Sequence, residues 1–189
     1  MVREIQWSEL PQQLMGYGPN TVLKLSEEEC IIVYNQRTSQ NAKTEFQNYQ
    51  TLHEAGFLVP KSIELVTIVM EDNNIENVQG LIRELIHGKP SKDREKISEY
   101  IDRLHEAGFT FRKGVSRDFI ESQNGLFLIN CSYMLRADNC WHFETACKRY
   151  KDKVEQDLQL IEYFDTSSDP EDSMENACLE TVLGAFGIP

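Results

Sequence analysis

Residues 104–134 read LHEAGFTFRKGVSRDFIESQNGLFLINCSYM, and the layout of this stretch decides the fold. It opens as the end of a helix running from about Ser91 to Ala107. Ile97, Tyr100, Ile101 and Leu104 recur on one face, and Gly108 supplies the stop. An irregular loop bearing Arg112, Lys113 and Arg117 follows. A short hairpin, Phe119 to Asn130, then turns at Asn124-Gly125, a pair suited to a type I′ turn because both residues tolerate positive φ. Between Gly108 and Met134 the only acidic residues are Asp118 and Glu121, so chemistry that needs carboxylates has little to draw on here.

Upstream, Gly16-Tyr-Gly18-Pro19-Asn20 is a turn-rich opening to a hairpin. Its strands are Val22–Leu25 and Cys30–Tyr34, separated by the polar Ser26–Glu29. Ser39 or Asn41 is placed to cap a helix with Ala42, Phe46, Tyr49 and Leu52 on one face, ended by Gly56 with Pro60 just beyond. Ser62–Met70 and Val78–Ile86 read as two strands around Glu71–Asn74, and Gly88-Lys89-Pro90 closes the second. Downstream, a helix of about Trp141–Tyr163 turns Phe143, Ala146, Tyr150, Val154, Leu158 and Ile161 inward. A last helix of about Ser173–Phe186 follows the linker Asp165–Asp172.

The hexapeptide Leu52–Phe57 recurs identically as Leu104–Phe109, but the flanking residues differ, so it marks two helix ends and no duplicated domain. His53 and His105 then lie in last turns, where a partial positive charge suits the helix dipole.

The formal charge is −12 and the hydrophobic content 40% over 189 residues, enough for one substantial core built as one or two lobes. So acidic a chain is a poor ligand for nucleic acid, whose phosphates call for a basic surface. A basic protein partner suits it better, since opposite fields steer encounter. From Asp152 to Glu180 ten acids stand against one base, Lys153; a solvated helical face accounts for them as readily as a partner surface does. Five cysteines (Cys30, Cys131, Cys140, Cys147, Cys178) are odd in number and irregularly spaced, as expected of reduced thiols. Cys140-x-His142-x4-Cys147 lacks a second pair to complete a tetrahedral metal site. No apolar run has the length of a membrane span, and the N-terminus lacks the apolar stretch of a signal peptide, so a cytoplasmic protein is expected.

Three pieces, from about Gly16 to Met134, resemble the protein-kinase-like superfamily, in particular small bacterial kinases such as the lipopolysaccharide heptose kinases and RIO-type kinases. The first is Gly16-x-Gly18 followed by Val22. The second is Glu45-Phe-x-x-Tyr-x-x-Leu-His-Glu-Ala-Gly-Phe-Leu-Val-Pro60, like the family's regulatory helix and its exit. The third is Gly80-Leu-Ile-Arg-Glu-Leu-Ile-His-Gly-Lys-Pro90, like the strand and hinge that contact adenine. The resemblance implies an α+β, minimal two-lobed kinase-like fold in a single domain. Residues of about 1–88 would form a small antiparallel sheet lobe with one helix, and about 89–189 a helical lobe. It also implies a nucleotide site drawn from Gly16, Gly18, Lys24, Glu45, Glu84 and Leu85.

Phosphoryl transfer needs compensation of phosphate charge and a positioned nucleophile. In the family a strand lysine, held by a helix carboxylate, binds phosphate. Glu45 takes the carboxylate's place, but Ile32 or Val33 stands where the lysine is expected, and Lys24 is the nearest substitute. An alignment through Gly108 and the hairpin puts Lys113 at the catalytic base, Asp118 at one metal ligand and Asn130 at the other. A lysine is protonated near neutrality and accepts no proton. Asn130 offers one carbonyl oxygen without the charge that favours magnesium. The expectation is therefore a catalytically degraded kinase-like protein, a pseudokinase used as a protein-binding or regulatory module, with no cofactor. One alternative is a divergent kinase using Asp118 and Glu45 with ATP and magnesium. Another is an acidic inhibitor or immunity-type protein neutralising a basic partner.

Overall fold

Alternating apolar residues in the N-terminal half assemble into one six-stranded sheet. The computed structural model describes residues 2–11, 14–16, 20–35, 37–70, 77–113 and 116–166, with the backbone alone at 14, 16 and 163–166. Strands β1 (Arg3–Gln6), β2 (Leu14–Gly16), β3 (Asn20–Lys24) and β4 (Glu29–Tyr34) precede helix α1 (Asn41–Glu54). Strands β5 (Ser62–Val69) and β6 (Val78–Glu84) follow, and the order across the sheet is β1-β5-β6-β4-β3-β2. The sheet is mixed and not wholly antiparallel, because β1 docks parallel to β5 at the edge. Gly18, Tyr17, the Glu71–Asn74 turn, Cys178 and the expected Ser173–Phe186 helix lie outside the described residues.

The second half contains β7 (Lys89–Pro90), α2 (Arg94–Glu106), β8 (Phe109–Phe111), β9 (Phe119–Ser122), β10 (Gly125–Leu128), β11 (Met134–Arg136) and α3 (Phe143–Thr166). The half expected to be helical thus carries five short strands beside α2 and α3, arranged as β10-β9-β7 and β11-β8. β9 and β10 form the expected hairpin, whereas β7, β8 and β11, of two or three residues each, are too short for periodicity to reveal.

Local chemistry sets the boundaries. Gly56 and Gly108 take φ of 81° and 82°, the left-handed conformation expected at both helix ends. After Gly56 the Phe57 N–H reaches back to Leu52 O at 3.0 Å, returning the phenyl ring to the core. At α2 the cap is Asp93, whose carboxylate accepts the Lys96 N–H at 3.1 Å, so the helix starts later than Ser91. Neither Ser39 nor Asn41 caps α1; the Ser39 hydroxyl instead accepts the Gln79 N–H at 3.1 Å. The hairpin turn is also different from expectation. Ser122 pairs with Gly125, leaving Gln123 and Asn124 as the connection. Gly125 has φ 122° and no described non-glycine residue has positive φ, so the turn is not type I′.

Each sheet face has its own core. Ile31 and Val33 pack with Leu10, Leu23, Val66, Ile68, Val78 and Ile82 on the outer side. Ile32 and Tyr34, alternating with them along β4, join the main core. That core continues through Tyr49 and Leu52 of α1, Ile97, Ile101 and Leu104 of α2, Phe119 and Leu128 of the hairpin, and Tyr150, Val154 and Leu158 of α3. One apolar body therefore joins the sheet to the helices and holds the junction between them in register.

Candidate functional site

Four polar segments meet where α1 faces the sheet and the strand leaving the hairpin. Glu45, Asn48 and Tyr49 occupy the buried face of α1, brought together by helical i, i+3 and i+4 spacing. Tyr34 is the last residue of β4, on the same face as Ile32. Arg83 shares the α1-facing side of β6 with Leu81, two residues earlier. Residues 129–132 run out of β10 beneath them.

Tyr34 Oη donates to Glu45 Oε2 at 2.6 Å, and Ser132 Oγ donates to the same oxygen at 2.7 Å. Tyr49 Oη lies 3.1 Å from Glu45 Oε1 and 2.6 Å from Ile129 O, so its one proton serves two acceptors. Arg83 Nη1 donates to Tyr49 Oη at 2.6 Å and to Ile129 O at 2.7 Å, with the guanidinium 5.3 Å from the Tyr49 ring centroid. Asn48 Nδ2 donates to Cys131 O at 2.7 Å. Arg83 Nε is buried and donates to no acceptor among the described residues.

The electrostatics follow from burial. It pushes the Tyr34 and Tyr49 hydroxyls far above the usual phenol range, with the Glu45 carboxylate adding to the effect. The thiols of Cys131 and Cys30 are pushed up by burial too. Burial works against the charge of Arg83, but the surrounding Tyr49, Cys30 and Glu45 outweigh it and hold the guanidinium above its ordinary range.

At the open side, Asp118 and Asn130 lie together: Asn130 Nδ2 donates to Asp118 Oδ1 at 3.4 Å. Asn130 Oδ1 accepts the Ser132 backbone N–H at 3.2 Å and lies 2.9 Å from Ser132 Oγ, whose one proton it shares with Glu45 Oε2. Asp118, Asn130, Ser132 and Glu45 thus form a continuous chain of oxygen-bearing groups. A hard cation would draw on the Asp118 carboxylate and, after an amide turn, the Asn130 carbonyl. Lys113 stands apart on the exposed loop, its ammonium 5.0 Å from the Tyr133 ring centroid.

The other expected nucleotide residues collect elsewhere. Lys24 pairs with Glu27 at 2.6 Å and sits opposite Cys30 on β4, four residues from Tyr34. That separation is about 13 Å at strand spacing, so Lys24 does not take the lysine's place beside Glu45. The Leu85 N–H donates to Glu28 O at 2.8 Å, while Glu84 O accepts from the Cys30 thiol and the Glu84 carboxylate from the Lys61 N–H. Glu84 and Leu85, both expected at the nucleotide site, thus make these contacts within the protein. Behind them lies a groove of about 1090 Å³ whose lining includes Glu27, Glu28, Glu84, Lys61, His53 and Asn124. Gly16 ends β2, a strand whose pairing with β3 shifts register there.

Position for position, the residue that meets Glu45 is Tyr34, whereas Ile32 packs in the core and Val33 points to the opposite face. Tyr34, Tyr49, Arg83 and Ser132 were not singled out from the sequence as site residues. The available signal was phase: Arg83 alternates with the buried Leu81, and Tyr34 with Ile32. His105 also departs from expectation. Its Nε2 meets Thr110 Oγ1 at 3.2 Å, and burial lowers its pKa, so the ring is held towards its neutral form despite its place at a helix end.

No family model and no curated protein matches the chain. Solved structures do. One is WaaP in complex with acyl carrier protein, with TM-score 0.51 and 15% identity over 96% of this chain and 81% of that one. Another is monomeric WbdD, with TM-score 0.50 and 12% identity over 72% of this chain and 37% of that one. A structure of the bifunctional kinase-methyltransferase WbdD gives TM-score 0.48 and 15% identity over 72% of this chain and 34% of that one. At such identities the likeness is one of fold, and the fold is protein-kinase-like, the architecture implied by the three sequence motifs. Among the described residues no helix is long and apolar enough to cross a membrane.

Proposed function

We propose that this kinase-like protein has lost phosphotransfer and serves as a protein-binding or regulatory module. The observation that carries the reading is the environment of Glu45. Its carboxylate accepts hydroxyls from Tyr34, Tyr49 and Ser132, where kinase chemistry calls for a lysine shared with phosphate. Lys113 at the base position and Asn130 at a metal position support it. A formal charge of −12 favours a basic partner, and a cytoplasmic setting suits the reduced thiols.

The test is a phosphotransfer assay on the full chain with ATP and magnesium or manganese. The expected result is no turnover; ATP hydrolysis or autophosphorylation abolished by Asp118→Ala would overturn the reading. Thermal stabilisation by nucleotide without turnover would narrow it to a nucleotide-binding pseudokinase.

A second reading, a divergent kinase, is favoured by one specific feature: Asp118 and Asn130 lie within 3.4 Å of one another and connect through Ser132 to Glu45. In that reading ATP with magnesium is the cofactor and Asp118 the principal ligand. Metal-dependent turnover lost in Asp118→Ala selects it.

A further inference from the structure

Glu45 and Arg83 are the two buried charged side chains among the described residues. They come from different elements, α1 and β6, and Tyr49 Oη bridges them, accepting from Arg83 Nη1 at 2.6 Å and lying 3.1 Å from Glu45 Oε1. The same Arg83 nitrogen holds Ile129 O at 2.7 Å, one residue before Asn130. We propose that Arg83 is a positioning residue that holds α1 and residues 129–132 together without nucleotide or metal.

The physical argument starts from desolvation. A buried carboxylate or guanidinium without a counterpart is strongly destabilising, so each requires the other. Glu45 meets three hydroxyls, those of Tyr49 and Ser132 shared with Ile129 O and Asn130 Oδ1. The cation that balances it comes from β6, and its Nη1 is directed at a protein hydroxyl and a protein carbonyl. Protein groups alone satisfy Nη1, while Nε has no acceptor among the described residues. The consequence reaches the open side of the site, because fixing Ile129 O fixes the start of the segment carrying Asn130, Cys131 and Ser132. Asn48, holding Cys131 O at 2.7 Å, adds a second tie from α1 to the same segment. The inference rests on reading this site as one that has shed its dependence on nucleotide.

Native-state amide exchange on the full chain, without nucleotide, tests it. Arg83→Met should lower protection in α1 and at residues 128–132 together by about tenfold or more, the scale of one buried hydrogen bond to a charged group, while α3 is unchanged. Arg83→Lys, which keeps the charge, should restore part of the loss. Adding ATP and magnesium to the unmodified protein should leave both segments unchanged. Unaltered protection in Arg83→Met, or a tenfold rise in α1 protection on adding ATP and magnesium, overturns the proposal. If Arg83→Met does not fold, Tyr49→Phe removes the bridging hydroxyl and keeps both charges. Joint loss in the two segments then supports the proposal, and loss confined to α1 overturns it. Phosphotransfer by the unmodified protein would overturn the functional reading and leave a positive Arg83 result standing. Unchanged exchange in a protein without turnover would do the reverse.

Discussion

Tyr34 Oη donates a 2.6 Å hydrogen bond to Glu45 Oε2, joining the end of β4 to the buried face of α1. The resemblance implies a cation paired with this carboxylate; among the described residues it meets hydroxyls. A hydroxyl satisfies a carboxylate oxygen but offers no charge to a phosphate.

Replacing Tyr34 with Phe keeps the ring and deletes that donor. Glu45, itself buried, then keeps its bonds from Tyr49 and Ser132 but loses its shortest. A loss of about 1–3 kcal/mol is expected, the cost of an under-satisfied buried charged group, read from the urea midpoint at unchanged slope. A change within experimental scatter would show that Tyr49 and Ser132 suffice.

Gly88 is required by close approach. A Cβ there would lie 2.3 Å from the backbone oxygen of Glu121 and 2.6 Å from Ile120 Cγ2. Gly88→Ala must therefore move β9 away from the segment after β6, at a cost of about 1–3 kcal/mol, the range for overpacking. Thermal melts of this variant beside Gly56→Ala, where no atom lies within 4 Å but φ is 81°, separate a steric clash from backbone strain.

Alkaline pH should destabilise the protein. Tyr34, Tyr49, Tyr100 and Tyr150 have hydroxyls raised by burial, so the folded chain keeps protons that the unfolded chain releases above about pH 10. Their contribution is complete below that pH and declines as pH rises towards the folded values. Tyrosinate absorbance should show these four titrating only together with loss of tertiary structure. Independent early titration would contradict their burial.

His105 acts at the other end of the scale. Burial lowers its folded pKa, Asp102 opposing and Lys151 reinforcing the shift, so its contribution is present above about pH 6.5 and fades as pH falls through the folded value. In His105→Gln the stability slope below pH 6.5 should flatten relative to the unmodified protein, measured by urea unfolding at successive pH values.

Much of the architecture was legible because it depends on local rules. Gly56 and Gly108 both mark helix ends with positive φ, and α1, α2 and α3 begin within a few residues of their expected starts. The β7 and β8 strands were missed because two or three residues carry no period, and the hairpin turn was misassigned because Asn124-Gly125 suits more than one geometry. Glu45, Asp118 and Asn130, named from the spacing of the kinase-like motifs, are linked in space through Ser132. Lys24 illustrates the limit: its neighbour in space is Glu27, and its distance along β4 from Tyr34 separates it from Glu45.

The amino-acid sequence by itself determined the order of elements, the helix stops, the acidic character and the absence of a lysine at the expected strand position, since each is a property of adjacent residues. Tertiary structure alone decided that Tyr34, Tyr49, Arg83 and Ser132 surround Glu45, because those contacts join β4, α1, β6 and the exit of the hairpin across as many as 87 positions of chain. The physical reason is that burying a charge selects its partners by distance in space, and sequence spacing records only distance along the chain.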